Sequence, residues 1–212
     1  MIVSPSFLSS DFSKLKEEIL SINNAKWLHF DVMDGLFVEN KTYDHKLINE
    51  IKDYSNQFFD VHLMIEKPEM HIDKYVKSGA DLITFHYEAT SKPEDLIKKI
   101  KDKNVKAGIS IKPDTPVFLL DQLLNELDLI LIMSVEPGKG GQKFIPNSIE
   151  KIEYLNKKRI ENNYNYLIEV DGGINKETAK TVMLAGCDVI VVGSYIFNSD
   201  NRKELIGELE NV

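Results

Sequence analysis

The chain is predicted to fold as an α/β protein, a closed (β/α)₈ TIM barrel, on three observations. Short apolar, β-branched runs alternate with longer amphipathic runs from end to end. Eight such strand–helix pairs can be drawn, the number that closes a barrel. Their connections are short and polar, with no Pro/Ser-rich linker or low-complexity tract, so residues 1–212 are expected to form a single domain. An open doubly wound sheet is the alternative architecture, and the count of eight favours the barrel.

The elements follow in order. The first strand spans Ile2–Ser6. The helix after it spans Ser13–Ile22, where Leu15, Ile19 and Ile22 recur at helical spacing behind a cap at Asp11 or Ser13. Trp27–Val32 is the second strand. The longest polar break, Gly35–His45, follows and belongs at the barrel mouth, ahead of a helix over Lys46–Ser55. Phe59–Met64 and Glu69–Ser78 make the third pair, with Gly79 where a helix C′ glycine belongs. Leu82–His86 precedes a helix over Pro93–Lys103, whose Leu96, Ile97 and Ile100 share one face. The fifth and sixth pairs are Lys106–Ile111 with Val117–Asn125, and Leu129–Ser134 with Ile149–Asn162. Tyr166–Asp171 leads to Lys176–Ala185, capped by Asn175 and closed by Gly186. Val189–Gly193 and Arg202–Leu209 complete the set.

A chain of 212 residues, 42% hydrophobic and 28% charged, can bury a substantial core. Lys and Arg number 26 against 34 Asp and Glu, a net charge of −8. That balance argues against a nucleic-acid partner, which calls for a basic excess. A small phosphorylated ligand stays open, because backbone N–H groups hold phosphate whatever the net charge. Cys187 is the sole cysteine, so no internal disulfide forms and a reducing compartment fits. The start, Met1-Ile2-Val3-Ser4-Pro5, lacks a basic segment and long apolar run, and all apolar runs are strand-sized. The expectation is a cytoplasmic protein with no membrane partner.

The most informative stretch is Leu28-His29-Phe30-Asp31-Val32-Met33-Asp34-Gly35. Strand side chains alternate faces, so His29, Asp31 and Met33 point the same way. Asp60-Val61-His62-Leu63-Met64 repeats the pattern with Asp60, His62 and Met64, and Ile168-Glu169-Val170-Asp171 ends a third strand on an acid. Barrel sites lie at the C-terminal strand ends. His29, Asp31, His62 and Asp171 are therefore candidate ligands of one divalent metal, zinc first, with iron(II), manganese and cobalt also suited to imidazole and carboxylate. One such residue alone reads as a hydrogen-bonded polar group of the barrel layer. Four packed together without a cation would be costly. His86 ends the fourth strand as a structural group or a partner of the ligands, while His45 and His71 are expected to face solvent.

Two further groups share this end. Glycines follow three adjacent strands: Gly138, Gly140 and Gly141 around Lys139, then Gly172-Gly173, then Gly193-Ser194. Glycine loops let backbone N–H groups approach an anion, and barrels bind phosphate with the loops after strands seven and eight. Met33, Met64 and Met133 sit at strand ends, either filling the core or lining the site as polarisable apolar surface.

With Ser4-Pro5-Ser6-Phe7-Leu8-Ser9, Met133-Ser134-Val135-Glu136-Pro137-Gly138 and Gly140-Gly141-Gln142, these segments resemble the ribulose-phosphate 3-epimerase family in order along nearly the whole chain. The resemblance implies a barrel of the ribulose-phosphate-binding type. It implies epimerisation at C3 of a ketopentose phosphate, D-ribulose 5-phosphate to D-xylulose 5-phosphate, through a metal-stabilised enediolate. By resemblance His29, Asp31, His62 and Asp171 hold the metal, and Asp31 and Asp171 are the acid/base pair. Ser6, His62 and Asp171 contact substrate. Gly138, Lys139, Gly140, Gly141, Gly172, Gly173, Gly193 and Ser194 surround it, chiefly at the phosphate. A homo-oligomer, dimeric or hexameric, is also implied.

The chain departs from the family pattern in two places. The stretch Glu39–His45 lacks the usual two prolines and glycine, which is expected to loosen that loop. Lys139 stands where Phe is common and is expected to point to solvent. Rival readings are a 3-epimerase of a related ketose phosphate such as D-allulose 6-phosphate, a phosphosugar lyase or decarboxylase, and a non-catalytic phosphosugar binder. Met33 stands where a decarboxylase's Asp-x-Lys-x-x-Asp element places its lysine, and a mere binder has no need of two facing acids.

Overall fold

The computed structural model describes residues 1–212. Eight strands alternate with helices: β1 Ile2–Pro5, α1 Leu15–Ser21, β2 Trp27–Met33, α2 His45–Ile51, β3 Phe58–Met64, α3 Ile72–Lys77, β4 Leu82–His86, α4 Pro93–Lys101 and β5 Lys106–Ile111. Then come β6 Leu129–Met133, α5 Ser148–Asn162, β7 Leu167–Asp171, α6 Lys176–Ala185, β8 Val189–Val192, α7 Ser194–Phe197 and α8 Arg202–Glu210. All strand pairs are parallel, in the order β1-β8-β7-β6-β5-β4-β3-β2. The circuit closes between β1 and β2, where the ladder is reduced to one bridge, Ser6 to His29. The TIM barrel is thus present, not the open doubly wound sheet.

Parity along each strand decides what faces inward. Phe30 and Val32 of β2, Val61 and Leu63 of β3, and Ile168 and Val170 of β7 pack outward, in one continuous core with Ile48, Ile51, Leu96, Ile152, Leu155 and Val182 of the surrounding helices. The inward positions change character with height. Leu82, Leu129, Leu131 and Val189 form a separate apolar cluster inside the barrel. Towards the C-terminal strand ends the interior holds Ser4, His29, Asp31, Asp60, His62, Thr84, His86, Ser110 and Glu169, all buried.

Asp81, Asp128 and Asp188 stand just before β4, β6 and β8 and pin the N-terminal strand ends. Their Oδ2 atoms accept the backbone N–H groups of Phe59, Ala107 and Ile168 at 2.8, 2.9 and 2.8 Å. The helix ends follow the expected signals. Asp11 accepts from Ser13 N, Asn175 forms a capping box with Thr178, and Gly79 and Gly186 turn with φ of 91° and 106°.

The expected helix over Val117–Asn125 is replaced by two 3₁₀ turns, Val117–Leu120 and Leu124–Glu126. Leu120, Leu123, Leu124 and Leu127 are buried at the i, i+3, i+4, i+7 spacing of a helix, so the apolar pattern is helical while the backbone takes the tighter turn. Short 3₁₀ turns also open the first and third helical segments, at Phe12–Lys14 and Pro68–Met70. The four-residue α7, directly after β8, is an element that the sequence reading lacks.

Candidate active site

The C-terminal strand ends open into a cavity of 660 Å³. Its wall contains Ser6, Asp31, Met33, Met64, Met133, Asp171, Gly172, Gly173, Gly193, Ser194 and the run Gly138–Gly141, so these sequence-predicted residues meet in one place. His29 and His62 lie fully buried beneath that wall. Lys139 lines the cavity while its side chain is exposed. The methionines are both buried core and lining: Met33 and Met64 pack with Val38, and Met133 with Leu131 and Val135.

Parity on β2, β3 and β7 brings the four candidate ligands together. One ligating atom each from His29, Asp31, His62 and Asp171 lies within 4.8 Å of the others. Asp31 is at the centre. Its Oδ2 accepts the Ser6 hydroxyl at 2.6 Å, while its Oδ1 faces His29 Nε2 at 3.4 Å and His62 Nδ1 at 3.3 Å. Asp60 Oδ2 lies 2.5 Å from His29 Nδ1 and accepts its N–H on that side. His29 Nε2 is left buried with no hydrogen-bond partner, facing the cluster. A buried, unpartnered imidazole nitrogen beside two carboxylates is costly as it stands, and a divalent cation satisfies it. The residues present therefore fit a metal ion.

The electrostatics agree. Burial alone would raise Asp31, but His29 first and His62 next hold it well below the usual carboxylate range. Burial would lower His29, yet Asp60 and then Asp31 outweigh it and raise the imidazole well above its ordinary value. Burial and the Asp31 carboxylate together push Asp171 up to about 7.

The remaining wall is built by close-packed loops. Ser134 Oγ reaches the carbonyl oxygens of Gly172, at 2.7 Å, and Asp171, at 2.9 Å, joining the loops after β6 and β7. Gln142 Nε2 folds the glycine run by donating to the carbonyls of Glu136 and Lys139. The divergent loop after β2 is held by side chains where its prolines are missing. Thr42 Oγ1 donates to Asp31 O at 2.7 Å and accepts from Met33 N, Tyr43 OH accepts from Asp31 N at 3.0 Å, and Asn40 Nδ2 donates to Gly138 O at 2.7 Å across the mouth.

Sequence reasoning missed Asp60 and Glu169 as site residues. Both are fully buried, and with His29 they form a second cluster of ligating atoms within 4.8 Å of one another. Neither Glu169 carboxyl oxygen has a hydrogen-bond partner, and burial with the nearby Asp60 carboxylate raises its pKa well above the ordinary value. The signal was present: each stands two residues before a named ligand, hence on the same strand face. His86, left between two roles, contacts His62, with their Nε2 atoms 2.9 Å apart.

Comparison with known proteins agrees with this architecture. The family model described as ribulose-phosphate 3 epimerase matches residues 2–197. Ribulose-phosphate 3-epimerase of Eremothecium gossypii is 41% identical, over 99% of this chain and 92% of that protein. The protein of the same name from Bacillus subtilis is 41% identical, over 98% of this chain and 97% of its own length. Among solved structures, 3-hexulose-6-phosphate synthase from Salmonella typhimurium superposes with a TM-score of 0.73 at 18% identity, covering 100% of this chain and 97% of that one, a likeness of fold.

Proposed function

This chain belongs to the ribulose-phosphate 3 epimerase family, and from that premise we propose that it inverts C3 of D-ribulose 5-phosphate to give D-xylulose 5-phosphate. Asp31 and Asp171 exchange the proton, and His29, Asp31, His62 and Asp171 hold a divalent cation, zinc by preference, with iron(II), manganese or cobalt serving the same donor set. The observation that carries the reading is the convergence of those four side chains beside a glycine-walled cavity.

The chemistry follows from the positions. The proton on C3 is weakly acidic because the C2 carbonyl can take up the electron pair its removal leaves behind. Inversion needs one group to take that proton from one face and another to deliver a proton to the opposite face. Asp31 on β2 and Asp171 on β7, separated round the barrel by β1 and β8, supply the two carboxyls. The Ser6 hydroxyl orients Asp31, and the methionines keep water from the reacting carbon. A cation held by these residues would serve as a Lewis acid for the charge that grows on the C2 oxygen. Backbone N–H groups of Gly138–Gly141, Gly172, Gly173, Gly193 and Ser194 receive the phosphate. The reading carries with it one catalytic domain over residues 1–212, a cytoplasmic location and a homo-oligomeric assembly.

The test is turnover of D-ribulose 5-phosphate by purified protein in deuterated water. Deuterium is expected at C3 of the product, and turnover should vanish after chelation and return with added zinc. Turnover without exchange at C3, or undiminished after stripping, would reject the reading.

Cation uptake should also release protons. His29 is raised well above the ordinary imidazole value and Asp171 reaches about 7, so near neutrality the metal-free cluster holds protons that a cation must displace. These sites are protonated below their pKa, so affinity for Zn²⁺ falls as pH is lowered: the His29 proton competes from above the ordinary imidazole range, and the Asp171 proton joins it as pH passes below about 7. Calorimetry in buffers of different ionisation enthalpy counts the protons released; a count of zero would contradict the assignment of His29 as a ligand.

A further inference from the structure

A buried chain beside the cluster takes no part in the proton transfers above. His62 Nε2 faces His86 Nε2 at 2.9 Å, and His86 Nδ1 faces Glu88 Oε2 at 3.3 Å. The direction of these bonds can be worked out from one end. An ionised carboxylate only accepts, so His86 Nδ1 carries the hydrogen. Neutral His86 then offers a lone pair at Nε2, and His62 must donate from its own Nε2. His62 is left with a lone pair at Nδ1, the nitrogen 3.3 Å from Asp31 Oδ1. Two acceptors then face each other, an arrangement suited to a cation between them.

Glu88 is itself fixed from the other side. Its Oε1 accepts Lys112 N at 2.9 Å and the Thr115 hydroxyl. Lys151 holds the same loop: its Nζ, on α5, donates to the carbonyls of Lys112, Pro113 and Thr115 at 3.1, 2.5 and 2.8 Å. Phe37 covers His86, ring centroids 4.8 Å apart.

We propose that Glu88, acting through His86, is a positioning residue that fixes His62 in the tautomer whose Nδ1 lone pair faces the cation site, and that Lys151 seats the loop holding Glu88. This deepens the metal assignment of His62 and rests on it.

Glu88→Gln tests the relay because it preserves shape and reverses direction. Lys112 N–H requires the amide oxygen on its side, which turns the NH₂ group toward His86 Nδ1. Each bond then runs the other way, and His62 Nδ1 carries a hydrogen where the cation should sit. In metal-free protein, long-range ¹H–¹⁵N spectra should show His62 Nδ1 unprotonated in the unaltered chain and protonated in E88Q. Affinity for Co²⁺, by chelator competition, should fall about 10- to 100-fold. His86→Phe, which removes the acceptor and packs beside Phe37, should lower Co²⁺ affinity by a similar factor and serves if E88Q does not fold. A protonated His62 Nδ1 in the unaltered protein, or an unchanged tautomer in E88Q, overturns the relay. So does Co²⁺ affinity within about threefold of the original in both variants. Failure of the unaltered protein to bind Co²⁺ would defeat the cation site itself, while the spectra alone still decide the relay.

Discussion

Asp31→Asn is expected to lower turnover by roughly a thousandfold or more, with the barrel intact. The substitution removes one of the two proton carriers of the proposed mechanism and keeps the side chain's shape. The amide can still accept the Ser6 hydroxyl, which lies 2.6 Å from Oδ2, so the local packing has no reason to change. What is lost is the charge that His29 and His62 share, and with it the capacity to take the C3 proton that the proposal assigns to this carboxylate. Loss of a cation ligand would also depress activity, so the experiment needs two measurements. Deuterium exchange at C3 should be absent even with Zn²⁺ added to saturation, and circular dichroism should match the parent. Asp171→Asn should behave likewise from the other face. Turnover within about tenfold of the parent in either variant would remove that residue from the acid/base pair.

Gly173→Ala is expected to cost about 2–5 kcal/mol of stability and to raise KM for substrate. Two penalties add. At φ of 63° an L side chain pays about 1–2 kcal/mol for the left-handed region. A Cβ there would also stand 2.7 Å from Phe144 Cα and closer still to Phe144 N, backbone atoms that cannot swing aside. Overpacking of that kind typically costs 1–3 kcal/mol. For a chain of this length the sum corresponds to a fall in Tm of roughly 4–20 °C. Gly140→Ala is the control, since a Cβ at Gly140 meets nothing within 4 Å. It should change stability by less than about 0.5 kcal/mol. Equal effects of the two substitutions would mean that the loops after β6 and β7 are not meshed as the structure has them.

How much of this was legible in the sequence follows from the range over which each signal acts. Strand parity is local, so His29, Asp31 and Met33 could be put on one face from the string alone, and the barrel brought them to Asp171. Asp60 and Glu169 carried the same signal but lacked a reason to be singled out. Their importance comes from contacts between strands, His29 Nδ1 to Asp60 above all, which depend on register. The segment after β5 buries its leucines at helical spacing yet forms two short 3₁₀ turns, a difference of backbone winding that the apolar pattern does not carry. The loop after β2 was judged by the prolines it lacks. Its order comes instead from Thr42, Tyr43 and Asn40, whose partners lie on β2 or beyond β6.

The joint between β1 and β2 has a consequence for how this enzyme would fail. One bridge, Ser6 to His29, is the thinnest stitch in the cylinder, and it lies directly beside the reacting groups. The proposed cation, held by residues of β2, β3 and β7, would span the two strands between them and add its binding free energy to the integrity of the wall at that slit. Stripped of the ion, the barrel should first part at this slit on heating, drawing the Ser6 hydroxyl away from Asp31. On a thermal ramp, turnover by metal-stripped and reloaded protein would then be lost before the circular dichroism signal.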